Sequence, residues 1–159
     1  EAGEIVKITK GIYCKTQQTR FGALVASPED VAKAIAVRDK VQIMPTGSTA
    51  LNKLGLSTQV PLNVVYLTTG TARVVDLGEY GKITFRHSKP LNFAYQTELV
   101  ALLVQALREV RVEELNAEEY TRLCDLVKTC QQDEKAMQDI EITPQNIQKV
   151  IKQIIKQSK

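Results

Sequence analysis

The sequence predicts an α+β fold: a small mixed sheet with flanking helices and a C-terminal helical segment, the whole preceded by a β-hairpin. Three observations carry this. β-branched runs broken by turn residues occupy positions 5–15 and 62–87, while helical periodicity dominates after position 95. Strands and helices do not alternate strictly, which argues against a doubly wound parallel sheet. The chain has 159 residues, 43% hydrophobic and 25% charged, the composition of an ordinary globular domain. Trp is absent and aromatics make up only 5%, so the core must be aliphatic.

The opening hairpin is read from "EIVKIT" and "IYCK" on either side of a "KG" turn. Polar residues then lead to Gly22. A helix follows, with Ser27 as N-cap, Pro28 as first helical residue and Asp30 completing a capping-box pattern. Val31, Ala32, Ile35 and Ala36 make its apolar face, and it should stop near Asp39. "VQIM" is a brief strand ended by Pro45. "TGSTALNKLGLST" reads as a short helix capped by Thr46 or Ser48, with Gly55 where a left-handed residue belongs. "LNVVYLT" is a nearly continuous apolar strand, "TTGT" turns the chain, and "ARVVDL" pairs with "KITFRH" around "GEYG". Three helices complete the chain: "YQTELVALLVQALREV", "NAEEYTRLCDLVKTC" capped by Asn116, and "TPQNIQKVIKQIIKQ" with Thr143 as cap and Pro144 at its start. The last helix carries a basic stripe, Lys149, Lys152, Lys156 and Lys159, beside an isoleucine-rich one.

Net charge is +3 but uneven. Residues 1–112 hold 14 basic and 9 acidic side chains, residues 113–139 hold 3 and 8, and residues 140–159 hold 4 and 1. The first and last stretches can face a polyanion and the middle one would repel it. No apolar run approaches the roughly 18 residues that a membrane helix needs. The N-terminus lacks the apolar stretch of a signal peptide, so the cytoplasm is the expected compartment and no membrane partner is expected.

Catalytic chemistry finds little support in the residues. Cys14, Cys124 and Cys130 lack CxxC spacing and His87 is the single histidine, so free thiols, no metal and no cofactor are expected. "TGSTAL" opening a helix could offer N–H groups to an anion. It resembles the Gly-Ser start of nucleotidyltransferases, but the next acid after Ser48 is Asp76 and the paired metal carboxylates are missing. Asp76, Glu79 and Lys82 are the nearest approach to a nuclease constellation, with one residue too many between Glu79 and Lys82; a solvated hairpin loop is the reading. Arg86, His87 and Lys89 form a small basic cluster at a strand end.

Lysines on alternate positions of "GEIVKITKGIYCK" make this segment similar to the wing of a winged helix-turn-helix domain. The resemblance implies that Lys7, Lys10 and Lys15 lie along DNA phosphates. It also implies three helices before Glu1, so the chain is expected to be a piece of a longer protein. Residues 1–16 would be the remnant wing and residues 17–159 a C-terminal effector domain. "GIY" followed by "RFG" and "SPEDVAKAIA", then "PTGSTALNKLGLSTQVP", then "NVVYLTTG" before a basic hairpin, together resemble bacterial AbiEi-like antitoxins and regulators of type IV toxin–antitoxin systems. The tail "DEKAMQDIEITPQNIQKVIKQI" looks like that family's closing helix. What the family implies is a non-enzymatic regulator that represses its operon through promoter DNA and counteracts a nucleotidyltransferase-like toxin. Arg86, Lys89, Lys149, Lys152 and Lys156 are the expected toxin-facing surface. Two other classes stay open: a degenerate nucleotidyltransferase or nuclease with a metal near Asp76 or Glu79, and a scaffold self-associating through "LVALLVQAL" or the last helix. The oligomeric state is open as well.

Overall fold

The computed structural model describes residues 5–158 and has the expected α+β architecture with a small mixed sheet. The glutamates and glycine that open the hairpin sequence, and Lys159 at the end of the basic stripe, lie outside the described residues. The chain divides into two compact units. The first holds the chain up to Ile43 together with Leu62–His87; the second holds Met44–Pro61 and everything from Ser88 onward. Packing therefore divides the chain elsewhere than after residue 16.

In the first unit, β1 (Ile5–Thr9) and β2 (Ile12–Lys15) form a two-stranded antiparallel sheet around a Lys10–Gly11 turn. Ile8 and Ile12 pack against the core of this unit. A second hairpin follows, β3 (Gln17–Thr19) and β4 (Gly22–Leu24), where the sequence suggests only polar connection. Its β3 residues are all exposed, so no apolar alternation announces it. The turn is instead held by the Thr19 hydroxyl, which donates to the Gly22 carbonyl at 2.7 Å.

Helix α1 (Pro28–Asp39) starts as the capping box predicts. The Ser27 hydroxyl accepts from the Asp30 amide, and the Asp30 carboxylate accepts from the Ser27 amide, both at 3.2 Å. Its inward residues Val31, Ala32 and Ile35 meet Val64, Tyr66, Leu77, Ile83 and Phe85 in one core. Each such fully buried aliphatic side chain contributes about 1.5–3 kcal/mol. Four strands form the main sheet: β5 (Ile43–Pro45), β6 (Asn63–Thr68), β7 (Arg73–Asp76) and β8 (Lys82–His87), in the order β5-β6-β8-β7. β7 pairs antiparallel with β8 as expected for the "GEYG" hairpin, while β6 and β8 run parallel. Along β6 the burial alternates between fully and half-buried residues, so its second face is less covered than the continuous apolar run suggests.

The second unit is helical around an aliphatic core. Helix α2 (Gly47–Leu54) ends at Gly55, whose φ of 71° is the left-handed C-terminal geometry the sequence predicts. Four helices follow where three are expected: α3 (Glu98–Glu109), α4 (Ala117–Gln131), α5 (Glu134–Glu141) and α6 (Gln145–Gln157). α5 is a helix of its own because Asp133 caps it, accepting from the Lys135 amide at 2.9 Å. Asn116 and Glu119 form the capping box that starts α4. Thr143 does not cap α6. Its hydroxyl donates backward to the Ile140 carbonyl at 2.8 Å, closing α5 instead, and Pro144 takes the N-cap position. Leu103, Leu123, Ile140 and Ile151 are completely buried at the centre. No helix among the described residues is long and apolar enough to cross a membrane.

Candidate functional site

Side chains paired across an antiparallel hairpin share a face. In β1–β2, Ile5 is opposite Lys15 and Lys7 is opposite Tyr13, and all four side chains are exposed. Ile5 is 73% exposed and Tyr13 63%, both high for large apolar groups. The hairpin thus shows solvent an interleaved lysine, aromatic and aliphatic surface, while its other face goes inward. Lys10 stands exposed in the turn. From Ile5 to Pro28 the sequence has four cations, Lys7, Lys10, Lys15 and Arg20, and no carboxylate. None of the four side chains is hydrogen-bonded or ion-paired among the described residues. Beside Arg20, at the tip of the second hairpin, Phe21 is fully exposed. The sequence reading missed this aromatic because it missed the hairpin; the "RFG" triplet before an apolar stretch is the signal that could have found it.

A second charged group gathers at the end of α1. Asp39 accepts from Arg38 Nε at 2.8 Å and from Arg73, at the start of β7, at 2.6 Å. The Arg38 hydrogen bond is the main reason its carboxyl is held below the usual range. Arg73 also lies over the Phe85 ring, 5.7 Å from its centroid, which fixes the guanidinium from the other side. Neither arginine is among the residues expected from sequence.

The five cations expected to face a toxin do not all share one compact unit. Arg86 is in the first, whereas Lys89, Lys149, Lys152 and Lys156 are in the second. On α6, Lys149, Lys152 and Lys156 are exposed together. Lys152 is already engaged, its Nζ donating to Glu141 at 2.9 Å, so the α6 stripe is less free than its spacing suggests. His87 donates from Nδ1 to the Gly70 carbonyl at 2.8 Å, which ties the loop after β6 to the end of β8.

Asp76, weighed as a metal ligand, has a structural task. Asp76 Oδ1 accepts from the Gly78 amide at 2.8 Å, shaping the turn between β7 and β8. At the start of α2, the Thr46 hydroxyl donates to Gln105 Oε1 at 3.0 Å instead of capping its own helix. The Glu109 carboxylate is the group nearest Gly47, where it complements the positive helix end. Among the described residues, the buried side-chain atoms Tyr66 Oη, in the first core, and Gln105 Nε2, in the second unit, have no hydrogen-bond partner.

Among the thiols, Cys130 is buried and desolvation pushes its pKa up to about 11. A protonated thiol in the folded state and a thiolate in the unfolded chain mean that the folded state holds the extra proton between pH 9 and pH 11. Stability is therefore full below pH 9 and falls as pH rises through this window, by roughly 2 kcal/mol from Cys130. Burial shifts Tyr66 in the same sense. Urea unfolding at pH 8 and pH 10.5 should show this loss, and Cys130→Ala should have a measurably shallower slope; an identical slope refutes the assignment.

The model of the family of unknown function DUF6088 matches residues 1–137. The chain belongs to DUF6088. No curated protein and no solved structure matches it. The DUF6088 match includes both hairpins, the four-stranded sheet and helices α1–α4, so the candidate interface of the first unit lies wholly inside it, whereas α6 and its lysines lie beyond it.

Proposed function

We infer that this chain works by binding, and that the exposed face of hairpin β1–β2 contacts nucleic acid. The observation that carries this is the face itself: Lys7 and Lys15 alternate with Ile5 and Tyr13 on a two-stranded ribbon, in a stretch without a carboxylate. Lys7 and Lys15 sit diagonally across the ribbon, one on each strand, so the face offers two cations to phosphates while Tyr13, opposite Lys7, can lie against sugar or base. Lys10 adds a third cation at the turn. The resemblance to AbiEi-like proteins supports the fuller reading, a cytoplasmic bacterial regulator that represses its operon through promoter DNA and holds a nucleotidyltransferase-like toxin. On that reading Lys149 and Lys156 of α6, with Arg86, Lys89 and Lys152, are the cations offered to the toxin. The structural uses of Asp76 and Thr46 favour this reading over an enzyme.

Duplex binding measured against salt tests the hairpin. Each phosphate contacted contributes a slope of about −0.9 to log K against log[salt], so K7Q/K15Q should flatten the slope by about 1.8. An unchanged slope in the folded variant would sink the assignment.

A further inference from the structure

Within the first unit, a cleft of about 360 Å³ opens between the hairpin turn, α1 and β7. Its cations come from three separate elements: Lys10 from the turn, Arg38 from the last turn of α1 and Arg73 from the start of β7. Ile12, Ile35 and Val75 supply apolar wall. The carboxylate on the wall, Asp76, has one oxygen committed to the Gly78 amide, and Lys82 is its neighbour across the ladder. Asp39 joins the two guanidiniums, consuming two donors of Arg38 and one of Arg73. An arginine has five N–H donors, so both keep several for an incoming anion. The side chains of Arg38 and Arg73 are 50% and 39% exposed, open to solvent yet anchored by Asp39. Asp39 does not line the cleft, so it fixes the two guanidiniums from outside while their remaining donors are left for a phosphate, and the volume lies in the range of small-ligand sites.

We propose that this cleft binds a nucleotide, its phosphate held by Arg38, Arg73 and Lys10 and its base resting against Ile12, Ile35 and Val75. The nucleotide is either free or a unit of a nucleic acid; the chemistry recognised is the same. The cleft shares Lys10 with the hairpin surface but not Lys7 or Lys15, which do not line it.

The test uses the whole chain, with ATP and a short DNA duplex as probes and the variants R38Q and R73Q, each checked for folding by circular dichroism. Arg38 sits on the helix surface, so R38Q remains informative should R73Q fail to fold. Calorimetry with ATP should show saturable binding that each variant weakens about tenfold, the loss of one charged hydrogen-bonding partner, while K7Q/K15Q binds as wild type. That result assigns a free nucleotide. Absence of ATP binding, with the duplex salt slope reduced by about 0.9 in each variant, assigns a nucleotide within a nucleic acid. Wild-type behaviour of folded R38Q toward both probes overturns the proposal. So does ATP binding that K7Q/K15Q weakens as much as R38Q does, since general surface charge then explains it. Failure of the hairpin reading shows separately, as an unchanged slope in K7Q/K15Q.

Discussion

Gly81→Ala is expected to destabilise the first unit by about 4 kcal/mol, the sum of backbone strain and a clash that rigid neighbours cannot relieve. Gly81 precedes β8 with φ 94° and ψ −158°, a region essentially reserved for glycine. A Cβ here would strike the carbonyl oxygen of Leu62, the residue just before β6. The obstruction is backbone, which cannot rotate aside as a side chain would. Gly81 is also held on both sides, its amide donating to the Gly78 carbonyl and its carbonyl accepting from the Leu77 amide at 2.8 Å. Relief would require β6 and β8 to part at Asn63 and Lys82, where their parallel pairing begins. Gly78 is the control: its φ is 66° but nothing lies within 4 Å of a Cβ built there, so Gly78→Ala should cost only the left-handed strain, about 1–2 kcal/mol. Urea unfolding of the two variants decides the matter. Equal losses would mean that the Leu62 contact does not constrain position 81.

Asp139→Ala is expected to cost the second unit about 3 kcal/mol. This carboxylate is 1% exposed and belongs to α5, yet it caps α3. Its Oδ1 accepts from the Gln96 amide at 3.0 Å, and its Oδ2 accepts from the Thr97 amide at 2.8 Å and the Thr97 hydroxyl at 2.7 Å. Thr97 is the N-cap of α3 but forms no cap of its own. A negative group at a helix start also opposes the positive end of the dipole. Alanine would leave three donors without their acceptor in a place with little water, where each unsatisfied group costs about 1–3 kcal/mol before relaxation. Since Val100 to Ala106 are all buried, α3 cannot fray without disturbing the core. Asp139→Asn keeps the shape and one acceptor oxygen, so it should lose about half as much. Unfolding midpoints measure both. A loss below 1 kcal/mol for Asp139→Ala would show that the cap contributes little.

The two cases also mark what sequence reasoning can reach. The capping boxes at Ser27 and Asn116 are legible because a cap and its partner are three residues apart, and the energies that favour them are local. Gly55 is legible for the same reason. The first hairpin is legible because two β-branched runs flank a Lys10–Gly11 turn. The second hairpin is not, because its β3 residues are polar and wholly exposed. The role of Thr143 at the start of α6 is not either, because its hydroxyl has both carbonyl and amide neighbours it could satisfy and local propensity does not choose between them.

Composition, the short-range turn signals and the helix starts were enough to determine the fold class and most elements, the first hairpin among them. Only the tertiary structure decided that Asp39 meets Arg73 across 34 positions and that Asp139 caps a helix start 42 positions away. It also decided that β6 lies parallel to β8 rather than beside β7. The physical reason is that local hydrogen bonds and side-chain periodicity act within about four residues. Contacts between distant groups form only when the burial of two aliphatic cores outweighs the loop entropy of bringing them together.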